Sequence, residues 1–223
     1  MIFLRLRDAA AVLATIIAIG SPMAIASAAW AGAPTDALRS HINNIFALLD
    51  DPALKGAEQT AARHRALRAL TEEAVDFHES AQRSLGAHWD ARTPSDRAYF
   101  VQLFTDLIDH AYLSRLAHDG ERLAYDEETM TGQDAVVRTR ALGKNGDVTP
   151  VVFSLRQGAD AKWRIYDVSF EGMSLVGNYR AQFNKIIRAG SYEDLVARLE
   201  AKTRSDAQAS ARTTAEPSKT SSP

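Results

Sequence analysis

The side chains that could carry out chemistry are few, and their spacing matches no recognised active site. The chain contains six His and no Cys. His110 and His118 are about two helical turns apart, but no Cys or acidic cluster stands at a metal-binding spacing around them. The sequence contains neither a G-x-S-x-G nucleophile motif nor a phosphate-binding loop. We therefore predict no catalytic residue, no metal site and no cofactor.

Tyr166 and Asp167 are the most tempting acid–base pair. Adjacent residues of a strand point to opposite faces, so these two side chains reach one pocket only if a bulge intervenes. We expect Asp167 to accept hydrogen bonds near the following turn or to meet an Arg, which is a structural role. Tyr166 alternates with Val168 and Phe170, and this alternation predicts an apolar wall.

Helical periodicity dominates the first half of the chain. Apolar residues recur every three or four positions in residues 35–50 and again in 67–85, where Gly86 predicts the end of one long helix. A third helix is predicted to begin at "TPSD", residues 93–96, and to run to Gly120. In that motif Thr is the N-cap, Pro suits the first helical position, and Asp completes a capping box.

The apolar period changes to two in the second half, which predicts strands. The segments with this period are "DAVVRTRAL", "TPVVFSLRQ", "KWRIYDVSF" and, more weakly, "RLAYD". Short polar connections predict an antiparallel meander. Two further helices follow, with Ser174 and Ser191 as N-caps. The order predicts an α+β fold, in which N-terminal and C-terminal helices pack on one curved antiparallel sheet.

Both ends of the chain differ in composition from the middle. Residues 1–31 place Arg5 and Arg7 before a short apolar run and a cluster of small residues, as in a secretory signal peptide. The apolar run is too short for a membrane span of about 20 residues. Residues 204–223 are polar and contain no apolar residue larger than Ala, which predicts a disordered tail. The folded domain is therefore predicted at residues 32–203.

Composition and charge narrow the classes of function. The chain is 46% hydrophobic, which is enough for one domain with a sizeable core. A formal net charge of −2 argues against nucleic acid as a partner. Without Cys the chain has neither a disulfide framework nor a residue for lipid anchoring. We predict an exported, monomeric protein in which apolar surface is the main functional resource.

Two ordered blocks of the sequence resemble one known family. "WRIYDVSFEGMSLVGNYRAQF", residues 163–183, is similar to the C-terminal signature of the MlaC family, also called toluene-tolerance auxiliary components. The segment "LGAHWDARTPSDRAYFVQLFTDLIDHAYLSRL", residues 85–116, resembles a second block of that family, and "LTEEAVDFHESAQRSLG" fits the helix before it. The similarity extends over residues 34–203.

The resemblance implies a lipid carrier in the periplasm. Members of the family bind phospholipid and move it between an inner-membrane ABC transporter complex and an outer-membrane lipoprotein–porin complex. They thereby maintain the lipid asymmetry of the outer membrane, and they are not enzymes. The family fold implies a cavity between sheet and helices that takes acyl chains and leaves the head group near solvent. A related branch serves hopanoid biosynthesis, but it usually lacks the "EG-x-S-L" pattern found here.

Periodicity identifies candidate residues for an apolar cavity between the sheet and the helices. We expect Gly172 to permit an unusual backbone conformation, so that the "EGMS" turn aims the next helix across the cavity. Which strand face points inward is left open by the pattern. The candidate lipid-binding residues are Phe104, Leu107, Ile108, Tyr112, Leu116, Val151, Phe153, Leu155, Tyr166, Val168, Phe170, Met173 and Val176.

Three alternatives to a phospholipid carrier remain open at this point. The first is an exported enzyme on a similar helix-plus-sheet fold, which needs converging polar groups inside the cavity. The second is a carrier for another apolar lipid, such as a hopanoid. The third is an adaptor without ligand, in which the apolar faces pack entirely against one another.

Overall fold

The computed structural model describes residues 33–113, 122–143 and 146–215. The predicted signal peptide, the candidate residue Leu116 and the last part of the predicted tail lie outside these residues. None of the described helices is long and apolar enough to cross a bilayer. The described α-helices are α1 (Ala33–Asp50), α2 (Thr60–Ala74), α3 (Phe77–Leu85), α4 (Pro94–Ile108), α5 (Leu175–Ala189) and α6 (Tyr192–Ala215).

One antiparallel sheet follows the first four helices, as the change of period predicts. Its strands are hydrogen-bonded in sequence order, which confirms the meander. Register shifts in the first and fourth strands mark bulges, which bend a sheet. The strands are β1 (Arg122–Thr131), β2 (Asp134–Leu142), β3 (Val148–Gln157), β4 (Trp163–Phe170) and the short β5 (Met173–Ser174).

Local sequence signals locate several helix ends. Thr93 caps α4, and its side chain and that of Asp96 form the predicted reciprocal capping box. Gly86 caps the end of α3 with a φ of 57°, a conformation that glycine adopts without a steric cost. Each of these residues satisfies backbone groups that the helix itself leaves without partners.

The single helix predicted over residues 67–85 is wrong, because the structure contains two helices there. The helix is interrupted at Val75 and Asp76, which pair with the edge of β4. Val75 forms a parallel bridge with Ile165, and the Asp76 N–H donates to the Ile165 carbonyl at 2.8 Å. The Asp76 side chain then accepts from the Glu79 N–H and starts α3. Backbone pairing with β4 therefore interrupts the helix, although apolar residues continue to recur at helical spacing.

A bulge in β4 gives the adjacent residues Tyr166 and Asp167 different roles. The register passes from Ser154 opposite Asp167 to Leu155 opposite Ile165, so Tyr166 has no strand partner of its own. The bulge interrupts the predicted alternation of Tyr166 with Val168. The Tyr166 ring instead packs under the guanidinium of Arg83 in α3, 3.9 Å from its centroid.

Asp167 accepts hydrogen bonds from the start of α5, which is the structural role that the sequence predicts. Its carboxylate accepts from the Ser174 hydroxyl at 2.5 Å and from the Val176 N–H at 3.0 Å. Between strand and helix, Glu171 and Gly172 have φ values of 49° and 82°, as in a type I′ turn. The predicted need for Gly172 is thereby confirmed, and the turn sends α5 back from the strand.

A carboxylate tie joins α3 to the sheet. The Glu79 side chain accepts from Arg83 and from Arg156 of β3, each at 2.7 Å. Burial alone would raise the pKa of Glu79, but the two guanidinium groups outweigh it and lower the pKa. The ionised tie therefore holds α3 against the sheet at neutral pH.

Two hydrophobic clusters make up the core. The helical cluster lies among α3, α4, α5 and α6; its buried members are Ala81, Leu85, Trp89, Phe100, Leu103, Phe104, Leu107, Phe183, Tyr192, Leu195 and Leu199. The sheet cluster lies between α1 and the sheet; its buried members are Leu38, Ala135, Val137, Ala141, Val151, Phe153, Leu155, Trp163 and Ile165. Partly buried apolar residues surround both clusters.

The predicted domain boundary at residue 203 falls inside α6. This helix continues to Ala215, so residues 204–215 are helical, contrary to the prediction of a disordered tail from residue 204. Ala-rich composition favours helix, and ion pairs one turn apart support it: Lys202 with Asp206 at 2.7 Å and Arg204 with Glu200 at 3.5 Å. Low hydrophobicity therefore does not predict disorder in residues 204–215.

Replacing Asp167 with Ala should destabilise the protein by about 2 kcal/mol, because two donors at the start of α5 lose a charged acceptor. Urea unfolding followed by circular dichroism measures the change. Asp90→Ala is the matched control, since that carboxylate is 93% exposed and lies 4.0 Å from Arg97. Equal midpoints for the two variants would contradict the capping role.

Candidate functional site

A groove of about 660 Å³ opens where α2, α3 and α4 meet β4. Val75, Phe77 and Val101 provide its apolar lining. Val75 packs against the sheet cluster, whereas Val101 packs against the helical cluster. The groove therefore lies on the seam between the two clusters, where separating them would expose apolar side chains from both.

Arg68 spans one edge of this seam groove. Its guanidinium donates to Glu72 on the same helix at 2.9 Å and to Asp106 of α4 at 3.0 Å. A third bond, of 3.1 Å, reaches Asp109 just beyond α4. The hydrogen bond to Glu72 is the largest cause of a raised pKa for Arg68, with the Asp106 and Asp109 charges adding to it. One cation thus ties α2 to the end of α4.

Asp109 is the buried member of this group. Its side chain is 2% exposed, and it begins the π-helical turn Asp109–Leu113. Besides the bond from Arg68, its other carboxylate oxygen lies 3.4 Å from His64 Nε2. A buried carboxylate is costly unless a cation accompanies it, so Arg68 stabilises Asp109 beside this edge of the groove.

Arg164 of β4 occupies the other side of the rim. It forms two hydrogen bonds with Asp160, at 2.6 and 3.0 Å, and this pairing is the main cause of its raised pKa. Asp76, also on the rim, is engaged as the cap of α3. Seven of the ten residues that line the groove are therefore polar or charged, and we call them the rim. The other three, Val75, Phe77 and Val101, are apolar, and we call them the floor.

A groove with this mixed lining can accept an amphiphile. An apolar chain can lie on the floor, while its polar end remains at the rim in contact with water. Within residues 33–113, 122–143 and 146–215, no three His, Asp or Glu side chains come together as a potential metal site.

The predicted helical residues lie beside the groove. Phe104 and Leu107 are buried in the helical cluster, and Ile108 packs against it. Tyr112 lies in the π-helical turn, but its side chain is outside the described part of the structure. The α4 face that lines the groove instead carries Val101 and Thr105, one position away from the predicted stripe.

The predicted strand residues are divided between core and surface. The face that carries Val151, Phe153 and Leu155 points inward to the sheet cluster, and Val168 packs on the same cluster. This answers which strand face is buried. Val176 at the start of α5 is also buried.

Two further predicted residues, on either side of the turn between β4 and β5, are exposed to solvent. Phe170 is 45% exposed and Met173 is 71% exposed, and the two are cross-strand partners. Among the predicted residues whose side chains the structure describes, none lines the seam groove. Their contact with a lipid therefore remains a prediction.

The sequence contained one signal for the seam that periodicity obscured. Asp76 and Glu79 have the spacing of a helix start, and β-branched Val75 precedes them. Together they mark the break between α2 and α3 that forms the groove. The role of Val101 had no such signal, because it depends on how α4 packs.

Comparison with protein-family models gives a match to one family. The model described as "MlaC protein" matches residues 39–201, nearly three quarters of the chain, from within α1 to within α6. The chain belongs to the MlaC family. The resemblance seen in the two sequence blocks is thereby confirmed. A comparison with curated proteins finds no match.

A solved structure shares the fold. It is a phospholipid-binding protein from Ralstonia solanacearum in complex with a phospholipid, and it superposes on this chain with a TM-score of 0.66. The two sequences are 21% identical, and the alignment covers 77% of this chain and 97% of that one. The predicted α+β architecture is confirmed by this likeness.

Replacing Arg68 with Met should destabilise the protein by about 2–4 kcal/mol, because buried Asp109 loses its cation. Removing both charges, in Arg68→Met with Asp109→Asn, should cost at least about 1 kcal/mol less than the sum of the two single changes. Denaturant unfolding of all three variants measures this coupling. Arg65→Met, on the same helix and exposed, is the control. Additive costs would contradict a coupling between Arg68 and Asp109.

Proposed function

We propose that this chain is a periplasmic carrier of phospholipid. Export would be directed by residues 1–31, and the mature protein would act as a monomer. The match to the MlaC family over residues 39–201 carries the proposal. Support comes from the shared fold with a protein that was solved with a phospholipid bound, and from the apolar floor and polar rim of the seam groove.

The physical task of such a carrier is to shield acyl chains from water. Exposing one methylene group to water costs about 0.8 kcal/mol. A phospholipid with about thirty methylenes therefore meets a barrier on the order of 20 kcal/mol when it crosses an aqueous compartment alone. An apolar sleeve removes most of this barrier without forming a bond, so the proposed activity is binding and release rather than catalysis.

The seam between the clusters is the proposed site of entry for the acyl chains. Separating the helical cluster from the sheet cluster would keep the buried members of each together, and it would require the bonds of Asp76 and Glu79 to the sheet to open. Widening would extend the floor from Val75 and Val101 towards Phe104 on one side and Val168 on the other. The predicted wall residues would then line the enlarged cavity.

The proposed partners follow from membership of the family. We propose that the protein exchanges phospholipid with an inner-membrane ABC transporter complex and with an outer-membrane lipoprotein–porin complex. In this role it would help to maintain the lipid asymmetry of the outer membrane. An exported carrier of this kind needs affinity mainly for the tails, because weak head-group contacts allow release at either membrane.

Replacing Val101 with Gln should lower the phospholipid bound to the purified protein several-fold, because a polar amide on the groove floor opposes an acyl chain. Mass spectrometry of organic extracts, normalised to protein, measures the content. Val148→Gln is the matched control, since Val148 is 52% exposed and does not line the groove. Circular dichroism confirms that both variants are folded.

Three other outcomes would contradict parts of this proposal. Full lipid content in Val101→Gln, together with a loss in Leu107→Gln or Val168→Gln, would move the site to the wall that the sequence predicts. A hopanoid in the extract would change the cargo. An empty extract from the wild-type protein, with no uptake from phospholipid vesicles, would contradict a lipid carrier.

A further inference from the structure

A second groove, of about 440 Å³, follows helix α5 where it passes the end of α3. We call it the basic groove; it is defined by Arg180, Asn184 and Arg188 on α5 and by His88 in the 3₁₀ turn after α3. The three α5 residues are four positions apart and form one stripe along the helix. This groove shares no lining residue with the seam groove.

Small residues give the basic groove its depth and position Arg180. Gly86, Ala87, Gly177 and Ala181 also line it, and none of them has a side chain larger than a methyl group. The stem of Arg180 lies so close to Gly86 that a Cβ there would be 3.2 Å from Arg180 Cδ. The arginine therefore lies across a gap that a larger residue would fill.

Hydrogen bonding joins the two walls of the basic groove. His88 Nε2 lies 3.0 Å from the Asn184 side-chain oxygen, so the turn after α3 is tied to the middle of the α5 stripe. The polar groups are thus held by two different elements. Such a concave surface offers a partner a defined shape as well as charge.

Within the described part of the chain, Arg180 and Arg188 of the basic groove have no acidic partner. None of the residues lining it is acidic, and α5 carries Arg180, Lys185 and Arg188 but no Asp or Glu. Among the described residues, no carboxylate lies within 4.0 Å of either arginine, whereas Arg68 and Arg164 at the seam groove are both paired. Attraction to the helix dipole accounts for Arg188 in the last turn, but not for Arg180 in the middle of α5.

We propose that the basic groove is a docking surface for an acidic segment of a partner protein. Arg180 and Arg188 are separated by roughly 12 Å along the helix axis, from a rise of about 1.5 Å per residue. A single phosphate group would engage one end of this stripe, whereas an extended acidic segment would engage both arginines. The inference deepens the proposed function, since a carrier must dock on membrane complexes in order to exchange its cargo.

Binding of a defined acidic peptide tests this docking surface. The probe is a fluorescent helical peptide with Glu at every fourth position, and the same peptide with Gln at those positions is the reference. Fluorescence anisotropy with the full mature protein should show binding of the Glu peptide that weakens as salt is raised. The double variant Arg180→Glu, Arg188→Glu should bind at least about tenfold more weakly. Arg65→Glu with Arg198→Glu, two exposed arginines outside both grooves, changes the net charge equally and should leave binding within about twofold.

Several results would overturn the docking proposal. Equal losses in the two double variants would show a general charge effect, and no loss in the groove variant would place the peptide elsewhere. Tighter binding to vesicles of anionic phospholipid, with the same dependence on Arg180 and Arg188, would assign the surface to a membrane. Full displacement of the peptide by millimolar inorganic phosphate would assign it to a small anion.

The lipid content of the same variants separates this proposal from the carrier function. Phospholipid in the extract should be unchanged in the Arg180→Glu, Arg188→Glu variant, because the basic groove lies outside the proposed acyl-chain site. A folded groove variant that keeps its lipid but loses the peptide supports docking. Loss of lipid in that variant alone would contradict a separate docking surface. Absence of lipid from the wild-type protein and from both double variants would contradict the carrier function.

Discussion

Backbone pairing between the α2–α3 junction and the edge of β4 is the interaction on which the rest of the structure depends. The Asp76 N–H bonds the Ile165 carbonyl, and the Ser80 hydroxyl of α3 bonds the next carbonyl, that of Tyr166, at 2.7 Å. These bonds divide a continuous helical pattern into two helices. Because α2 and α3 then leave the strand separately, the core forms two clusters, with a groove on the seam between them.

A divided core would suit the proposed carrier, which has to take up a large apolar ligand and release it. A single close-packed core would have to break many contacts to admit an acyl chain, since protein interiors are packed as densely as organic crystals. In the proposed carrier, opening the seam between the two clusters would instead break the bonds that join α3 to the sheet, among them those of Asp76 and Glu79. The ion pairs of Arg68 join α2 to the end of α4 at one edge of this groove.

Local chemistry determines how much of this could be predicted from the sequence. The capping box at Thr93, the glycine cap at Gly86, the meander and the family were predictable because short motifs carry them. The helix break was not predicted, because helical apolar spacing continues across it, although Asp76 and Glu79 marked a new start. The role of Val101 was not predicted because its position in the groove depends on how α4 packs against other elements. The extent of α6 was not predicted because ion pairs, which a search for apolar periodicity does not detect, support its last part.

The most direct test of the account is to locate a bound acyl chain. Paramagnetic relaxation NMR of the isotope-labelled protein, with a phospholipid that carries a nitroxide along its tail, measures which residues lie near the chain. We predict the strongest broadening of signals around Val75 and Val101, with the signals of the basic groove unaffected. Broadening confined to exposed surfaces, or none at saturating lipid, would contradict binding within the seam.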